Sequence, residues 1–259
     1  MNKEKAFTLI ELMLVIAIIG LLSSIVLVAS KNAKNKATIA KSLQFSSSIH
    51  NALGAYAVGI WDFDDQTAND SSGNGNNGTL NNFSASPWST DTASKNGYAL
   101  EFDGIDDYMS ISISAMFEGT ISLWVYIESD NYGVILGKRT PGCYASAIYK
   151  NGGNFVVYRS GPEEAIGPYS LNTWTNFVVV RSDPGMKVDY YINGKLELTN
   201  NFDLYLHELI ANVGASCNGE ASINGMIDNV RIYEQALSEA QIKQLYVEGL
   251  EEHKSLVKN

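Results

Sequence analysis

Glu11 is a carboxylate inside the apolar run FTLIELMLVIAIIG, residues 7–20. An ionised group in hydrocarbon is costly unless it meets a cation, so its chemistry is electrostatic: it either neutralises an ammonium brought to it or snorkels to the interface from near the helix start. Elsewhere, His50, His207 and His253 stand alone, which supports neither a zinc cluster nor a Ser/His/Asp set. Cys143 and Cys217 form no C-x-x-C pair. In an exported domain they either bridge or remain two separately buried thiols. Acidic side chains gather at Asp62, Asp64 and Asp70, at Asp106 and Asp107, and at Asp228.

These residues need elements to hold them. The apolar run continues through LLSSIVLVA to Ala29, roughly 20 positions, enough for one helix to span the ~30 Å hydrocarbon layer. A secretory signal is usually shorter, at ~7 to 15 apolar residues, and a plain single-pass anchor leaves Glu11 unexplained. Residues 31–56 keep helical spacing at Ile39, Leu43, Ile49, Leu53 and Tyr56, with Ala33, Ala37 and Ala40 as a second face that admits close approach of a neighbouring helix. From Gly59 the sequence turns to aromatic and β-branched segments divided by Asn-Gly and Asp-Gly pairs. About eleven strands at roughly ten-residue spacing predict an all-β sandwich. Asn193-Gly194 between DYYI and KLEL predicts a type I′ hairpin. Ser238, with Gln241 three residues on and Leu237 and Ile242 placed as a staple, predicts the N-terminus of a short closing helix. The tail 249–259 has no apolar pattern and is expected to be mobile.

The run KAFTLIELMLVIAIIG, with Lys3 and Lys5 ahead of it, resembles the type IV pilins and pseudopilins. That resemblance implies cleavage between Ala6 and Phe7 by a membrane peptidase, methylation of the new Phe7 amine, and Glu11 at the fifth mature position. Ala6 stands where the family commonly has Gly. Glu11 would then neutralise the Phe7 amine of a neighbouring subunit during bundling, and so set axial register, since a matched buried pair is penalised far less than a lone charge. Charge counting opposes the implied topology, because Lys31, Lys34, Lys36 and Lys41 follow the helix. The motif puts the leader, residues 1–6, in the cytoplasm, and the lysines are expected to meet lipid head groups or other subunits.

The segments WDFDD (61–65), DSSGNGNNGTL (70–80), LEFDGIDDY (100–108), NTWTNFVVV, YINGK and IDNVRIYEQALSEAQIKQLY (227–246) resemble laminin-G-like domains of the concanavalin A-like jelly-roll superfamily. The resemblance implies two antiparallel sheets, one bowed into a shallow groove. Retaining glucanases of that superfamily carry E-x-D-x-x-E on one strand, because their mechanism needs carboxyls about 5 Å apart. No such spacing occurs here; Glu163 and Glu164 read as a Gly-Pro loop, and no enzymatic activity is expected. One structural calcium ion is the implied ligand, with Asp64 and Asp228 brought together as the chain ends pair and Asp62, Asp70 and carbonyls near Gly104 as secondary donors. The alternative is that Asp62 and Asp64 cap turns while Asp106 and Asp107 initiate a strand. Trp88, Tyr132, Tyr144 and Tyr169 fall in or near loop-like sequence and either pack or stack on a glycan. Trp61, Trp124 and Trp174 are expected in the core.

The expected plan is a leader (1–6), a transmembrane assembly helix (7–29), its extramembrane continuation (30–58), a jelly roll (59–248) and a tail (249–259). The formal net charge of −10 argues against nucleic-acid binding through the globular domain. The resemblances imply a structural subunit of a surface filament, partnered by other pilins, the prepilin peptidase and the assembly machinery. The alternatives are a glycan-binding adhesin or minor pilin, and a pseudopilin of a secretion or DNA-uptake system.

Overall fold

The computed structural model describes residues 9–20, 53–84, 86–93, 97–114, 116–137, 147–158, 162–183, 186–201, 211–216 and 219–252. The chain divides into two compact units, Met1–His50 and Asn51–Asn259.

In the first unit residues 9–20 form helix α1, with every residue exposed. Leu9, Ile10, Leu14 and Ile16 are 75%, 78%, 62% and 60% exposed. Among the described residues no helix is long and apolar enough to cross a membrane. The face expected at Ala33, Ala37 and Ala40 lies outside them.

The second unit contains strands β1 (Ala57–Trp61), β2 (Thr79–Asn81), β3 (Trp88–Ser89), β4 (Ala99–Asp103), β5 (Tyr108–Ser110), β6 (Gly119–Ile127), β7 (Gly133–Gly137) and β8 (Ala147–Asn151). They are followed by β9 (Asn154–Tyr158), β10 (Glu164–Pro168), β11 (Thr175–Ser182), β12 (Lys187–Ile192), β13 (Lys195–Asn200), β14 (Asn212–Val213) and β15 (Asn224–Tyr233), and by helix α2 (Glu239–Glu252). One sheet runs β13-β12-β11-β6-β15-β4-β3, with β1 also on β15, and the other runs β10-β9-β8-β7-β14-β5-β2. All the pairings are antiparallel. The result is a jelly-roll-like sandwich.

Strand parity explains the core. On β6 the side chains of Ile121, Leu123, Val125 and Ile127 point inward, to meet Phe177 and Val179 of β11 and Ile148, Phe155 and Val157 of the facing sheet. The intervening Trp124 lies on the outer face, buried by α2 and stacked on Tyr246 with ring centroids 5.8 Å apart. Each fully buried aliphatic or aromatic side chain contributes about 1.5–3 kcal/mol.

Asn193 and Gly194 both take positive φ (51° and 73°) between β12 and β13, as a type I′ turn requires. At the start of α2 the Ser238 N–H donates to Gln241 Oε1 at 2.8 Å, and Leu237 and Ile242 are buried beneath.

Several expectations are corrected. Ala57–Val58 is strand, not the end of a long helix, because Ala57 pairs with Tyr233. β2, β3, β10 and β14 were not expected; β10 takes up Glu164, whose Oε2 accepts from Asn200 Nδ2 at 3.3 Å. α2 runs past Gly249 into the expected tail, since a side chain at 249 would strike the Trp124 indole and glycine lets the helix stay seated. Trp174 is half-buried at the surface rather than in the core, with Nε1 donating to Asp91 Oδ1 at 3.2 Å and its ring against Tyr126.

Candidate functional site

β15 supplies the first constellation. Its Asn224–Ile227 segment pairs with β4 and its Val230–Tyr233 segment with β1, while β6 takes the opposite edge throughout. Between these two partners the register shifts, with Asn229 at φ 51°. A bulge of this kind opens the ladder and re-aims a side chain. The side chain in the opening is Asp228, 1% exposed. Its Oδ2 accepts from the Ala93 N–H at 3.1 Å, and its Oδ1 has no hydrogen-bond partner among the described residues.

Asp64, three residues past the end of β1, lies near enough for its charge to act on Asp228. Its Oδ1 accepts from the Tyr98 N–H at 3.4 Å, and a Cβ on Gly97 would fall 1.6 Å from that oxygen, so only glycine lets the 97–98 backbone close over the carboxylate. Burial pushes the Asp228 carboxyl up to about 7 against the Ala93 and Asn229 N–H donors, and the charge of Asp64 adds to the rise. Burial also raises Asp64, which its neighbours Asp62 and Asp65 reinforce. A buried carboxylate with an orphaned oxygen, whose ionisation a second carboxylate opposes, fits a hard divalent cation with oxygen ligands.

The secondary donors are employed otherwise. Asp62 Oδ2 accepts from Ser71 Oγ at 3.0 Å. Asp70 Oδ1 accepts from the Ile60 and Ser72 N–H groups and Oδ2 from that of Asn76, and together these bonds outweigh burial and hold its carboxyl below the usual range. Its oxygens organise the 70–77 loop. Gly104 is corrected: it sits in the β4–β5 turn against Asn224, four residues along β15 from Asp228. That is roughly 13 Å at strand rise, too far for a shared ion. The turn has its own acidic group, Asp103, Asp106 and Asp107, with ligand atoms within 4.8 Å of one another.

The second constellation lies on the outer face of β7, β8 and β9. There Val134, Ala147, Tyr149 and Val156 form a small cluster of their own, joined by Tyr158 and Ala221, while the alternate side chains enter the main core. A groove of about 470 Å³ runs over it, walled by Tyr132, Tyr149, Tyr158, Glu163 and Glu220. The loop after β14 is pinned beside it by Val134 N–H to Ala221 O at 2.8 Å and Ser216 N–H to Glu220 O at 2.9 Å. Tyr132 and Tyr149 lie 5.0 Å apart at 49°. Glu163 faces the buried Tyr149 hydroxyl without closing a hydrogen bond in good geometry; burial and that carboxylate raise the phenol's pKa.

Of the expected aromatic platforms, Tyr132 lines this groove. Trp88 belongs to β3 and packs half-buried on the core beside Phe63. Tyr169 lies on Phe155 and donates its hydroxyl to Asp130. Tyr144, Cys143, Cys217, Ala6 and Phe7 lie outside the described residues. Glu11 is on α1. Tyr149, Tyr158, Glu163 and Glu220 were missed by sequence reasoning. For the two tyrosines a signal was present in AIYK and NFVVY, strands largely apolar on both faces; none marked the two glutamates.

The chain belongs to the concanavalin A-like lectin/glucanases superfamily, whose pattern matches residues 102–243, and its residues 1–27 match the prokaryotic N-terminal methylation motif. No curated protein matches it in sequence. Among solved structures it is similar to domain 4 of AbnA, a GH43 extracellular arabinanase from Geobacillus stearothermophilus, in complex with arabinotriose. The identity is 23% and the TM-score 0.58, with 73% of this chain and 98% of that one covered. It is also similar to the botulinum neurotoxin serotype D binding domain (15% identity, TM-score 0.60, 77% and 52% covered) and the type G receptor binding domain (15%, 0.55, 74% and 51%). This chain spans about half the length of the two neurotoxin domains. At these identities the likeness is one of fold, and fold alone does not assign an activity.

Proposed function

We propose that this chain is a subunit of a type IV pilus-like surface filament, cut between Ala6 and Phe7, methylated at Phe7, anchored first in the membrane and then polymerised through its N-terminal helix. The observation that carries the reading is α1 itself: a helix inside a methylation motif whose large apolar side chains are exposed all round, with a single carboxylate, Glu11, among them. Such a surface demands lipid or other helices. Glu11 meets the neighbouring subunit's Phe7 amine as lipid is exchanged for protein. Peptide mapping of the mature N-terminus, combined with electron cryomicroscopy of sheared surface filaments, tests this; filaments that lack the protein, or a mature chain that still begins at Met1, would refute it.

In the outward domain Asp64 and Asp228 hold one calcium ion, whose chemistry is structural: it ties the end of the first strand to the middle of the last. A second reading, an adhesin displayed on the filament, is favoured by the tyrosine-walled groove, whose flat rings and carboxylates suit a saccharide. The arabinotriose bound by the domain of similar fold is consistent with that class of ligand. Loss of saccharide binding on Tyr158→Ala, with an unchanged melting temperature, would support it, and saccharide binding untouched by that substitution would remove the groove from the account.

A further inference from the structure

Deepening the saccharide reading, on which it rests, we propose that the groove over β7, β8 and β9 takes a ligand presenting a protonated amine, in saccharide terms a glucosamine unit rather than a neutral or acidic sugar. Two carboxylates, Glu163 and Glu220, and three tyrosines, Tyr132, Tyr149 and Tyr158, share one groove of about 470 Å³. Neither glutamate has a salt-bridge partner among the described residues. An ionised carboxylate only accepts hydrogen bonds, so this wall needs donors from the ligand, and an ammonium brings three together with the complementary charge.

The aromatic lining points the same way. Rings of Tyr132 and Tyr149 meet at 5.0 Å, and electron-rich tyrosine faces beside carboxylates attract a cation from both sides. Tyr149 is 1% exposed, and its hydroxyl lacks a hydrogen bond although Glu163 stands next to it. The phenol oxygen is closed off from the groove, so it is the exposed Glu163 carboxylate, and not the phenol, that the ligand's ammonium meets. A uronate, sialylated or phosphorylated ligand would meet like charge from both glutamates and from a chain of net charge −10.

The test uses the full-length protein in detergent and three disaccharides of similar shape: the β-1,4 glucosamine dimer, its N,N′-diacetylated form and cellobiose. Binding is followed by titration calorimetry at about pH 6, where a free amine is protonated and glutamate ionised. The glucosamine dimer is expected to bind about tenfold more tightly than the other two, as a charge-assisted contact would give. Glu163→Gln and Glu220→Gln should each erase that preference, and Glu101→Gln, on β4 of the other sheet, should leave it intact. Equal binding of all three sugars, lost on Tyr158→Ala, overturns the amine and leaves the groove reading standing. No binding by any of them overturns both. A loss in Glu101→Gln as large as in Glu163→Gln would show bulk charge attraction and overturn the proposal.

Discussion

Asp228 makes the stability of the β domain depend on pH in a direction opposite to that of an ordinary salt-bridged aspartate. Without a cation the folded domain keeps a proton on this carboxyl up to about pH 7, whereas the unfolded chain releases it near 3.8. Between those values the folded state binds more protons than the unfolded one, so stability falls as pH rises and the penalty is complete above about pH 7. A difference of about three pK units corresponds to on the order of 4 kcal/mol. About two of those units lie above pH 5, on the order of 2.7 kcal/mol. For a unit of this length each kcal/mol moves the melting temperature by about 2–4 °C, so the full-length protein in detergent with chelator should melt roughly 5–11 °C lower at pH 8 than at pH 5. Calcium offsets the ionised pair. At about a hundredfold excess over its dissociation constant it restores about 2.7 kcal/mol and flattens the slope. Asp64 and Asp107 are also pushed up by burial and act with the same sign, so the decisive comparison is Asp228→Asn. That side chain cannot ionise, so most of the slope and the whole calcium response should go. Melting curves with chelator that coincide at pH 5 and pH 8, or calcium that stabilises Asp228→Asn as much as the parent, would refute the reasoning.

Glu11→Ala should leave the protein in the membrane with an unchanged melting transition for its β domain, yet absent from sheared filaments; immunoblots of the filament and membrane fractions check this. Gly249→Ala should destabilise in spite of alanine's helix preference of about 1 kcal/mol. Its Cβ would sit 2.6 Å from the Trp124 ring, and overpacking costs about 1–3 kcal/mol, so the melting temperature should drop and the tryptophan emission shift. Lys150→Met should cost about 1–3 kcal/mol in denaturant unfolding, because the buried Nζ donates to the carbonyls of Ser129 (2.7 Å) and Asn131, which would be stranded.

What could be read from the sequence is what short stretches decide alone. Asn193-Gly194 specifies its turn because positive φ at two successive residues excludes most alternatives, and Ser238 with Gln241 specifies a helix start because both partners lie within four residues. The strands of two to five residues at β2, β3, β10 and β14 exist because a distant partner offers a ladder, and nothing local in Thr79–Asn81 or Asn212–Val213 announces it. Trp88 and Trp174 show the same limit in side chains: their neighbours in sequence are similarly polar, and which ring is packed on the core depends on β3 pairing with Leu100. The proposed metal site left a clearer trace. In MIDNVRIY the inward residues are Ile227, Val230 and Ile232, a break in period-two alternation that falls at Asp228–Asn229, where the bulge lies.

The position of that bulge bears on what the proposed filament subunit would have to withstand. A pull on the N-terminal unit reaches the sandwich through the chain at residues 51–56 and so first through β1, whose strand partner among the described residues is β15 alone. β15 in turn is held by β6 along one edge and β4 along the other, and it lies inside the larger sheet. Backbone hydrogen bonds join β1 to β15 only as far as Trp61–Val230; beyond that point the chain turns at Phe63, φ 60°, and Asp64 comes near enough to Asp228 for the two charges to act on each other. The proposed calcium ion would close the far end of the junction, and the same two carboxylates without it repel each other at the place where a load would cross. A fold that needed only solubility would gain more from an apolar pair at this bulge, since buried like charges are costly. Keeping two aspartates at the first junction to bear tension is intelligible if, as proposed, calcium binds there and is supplied on the outer side of the membrane, where it would set the strength of that junction.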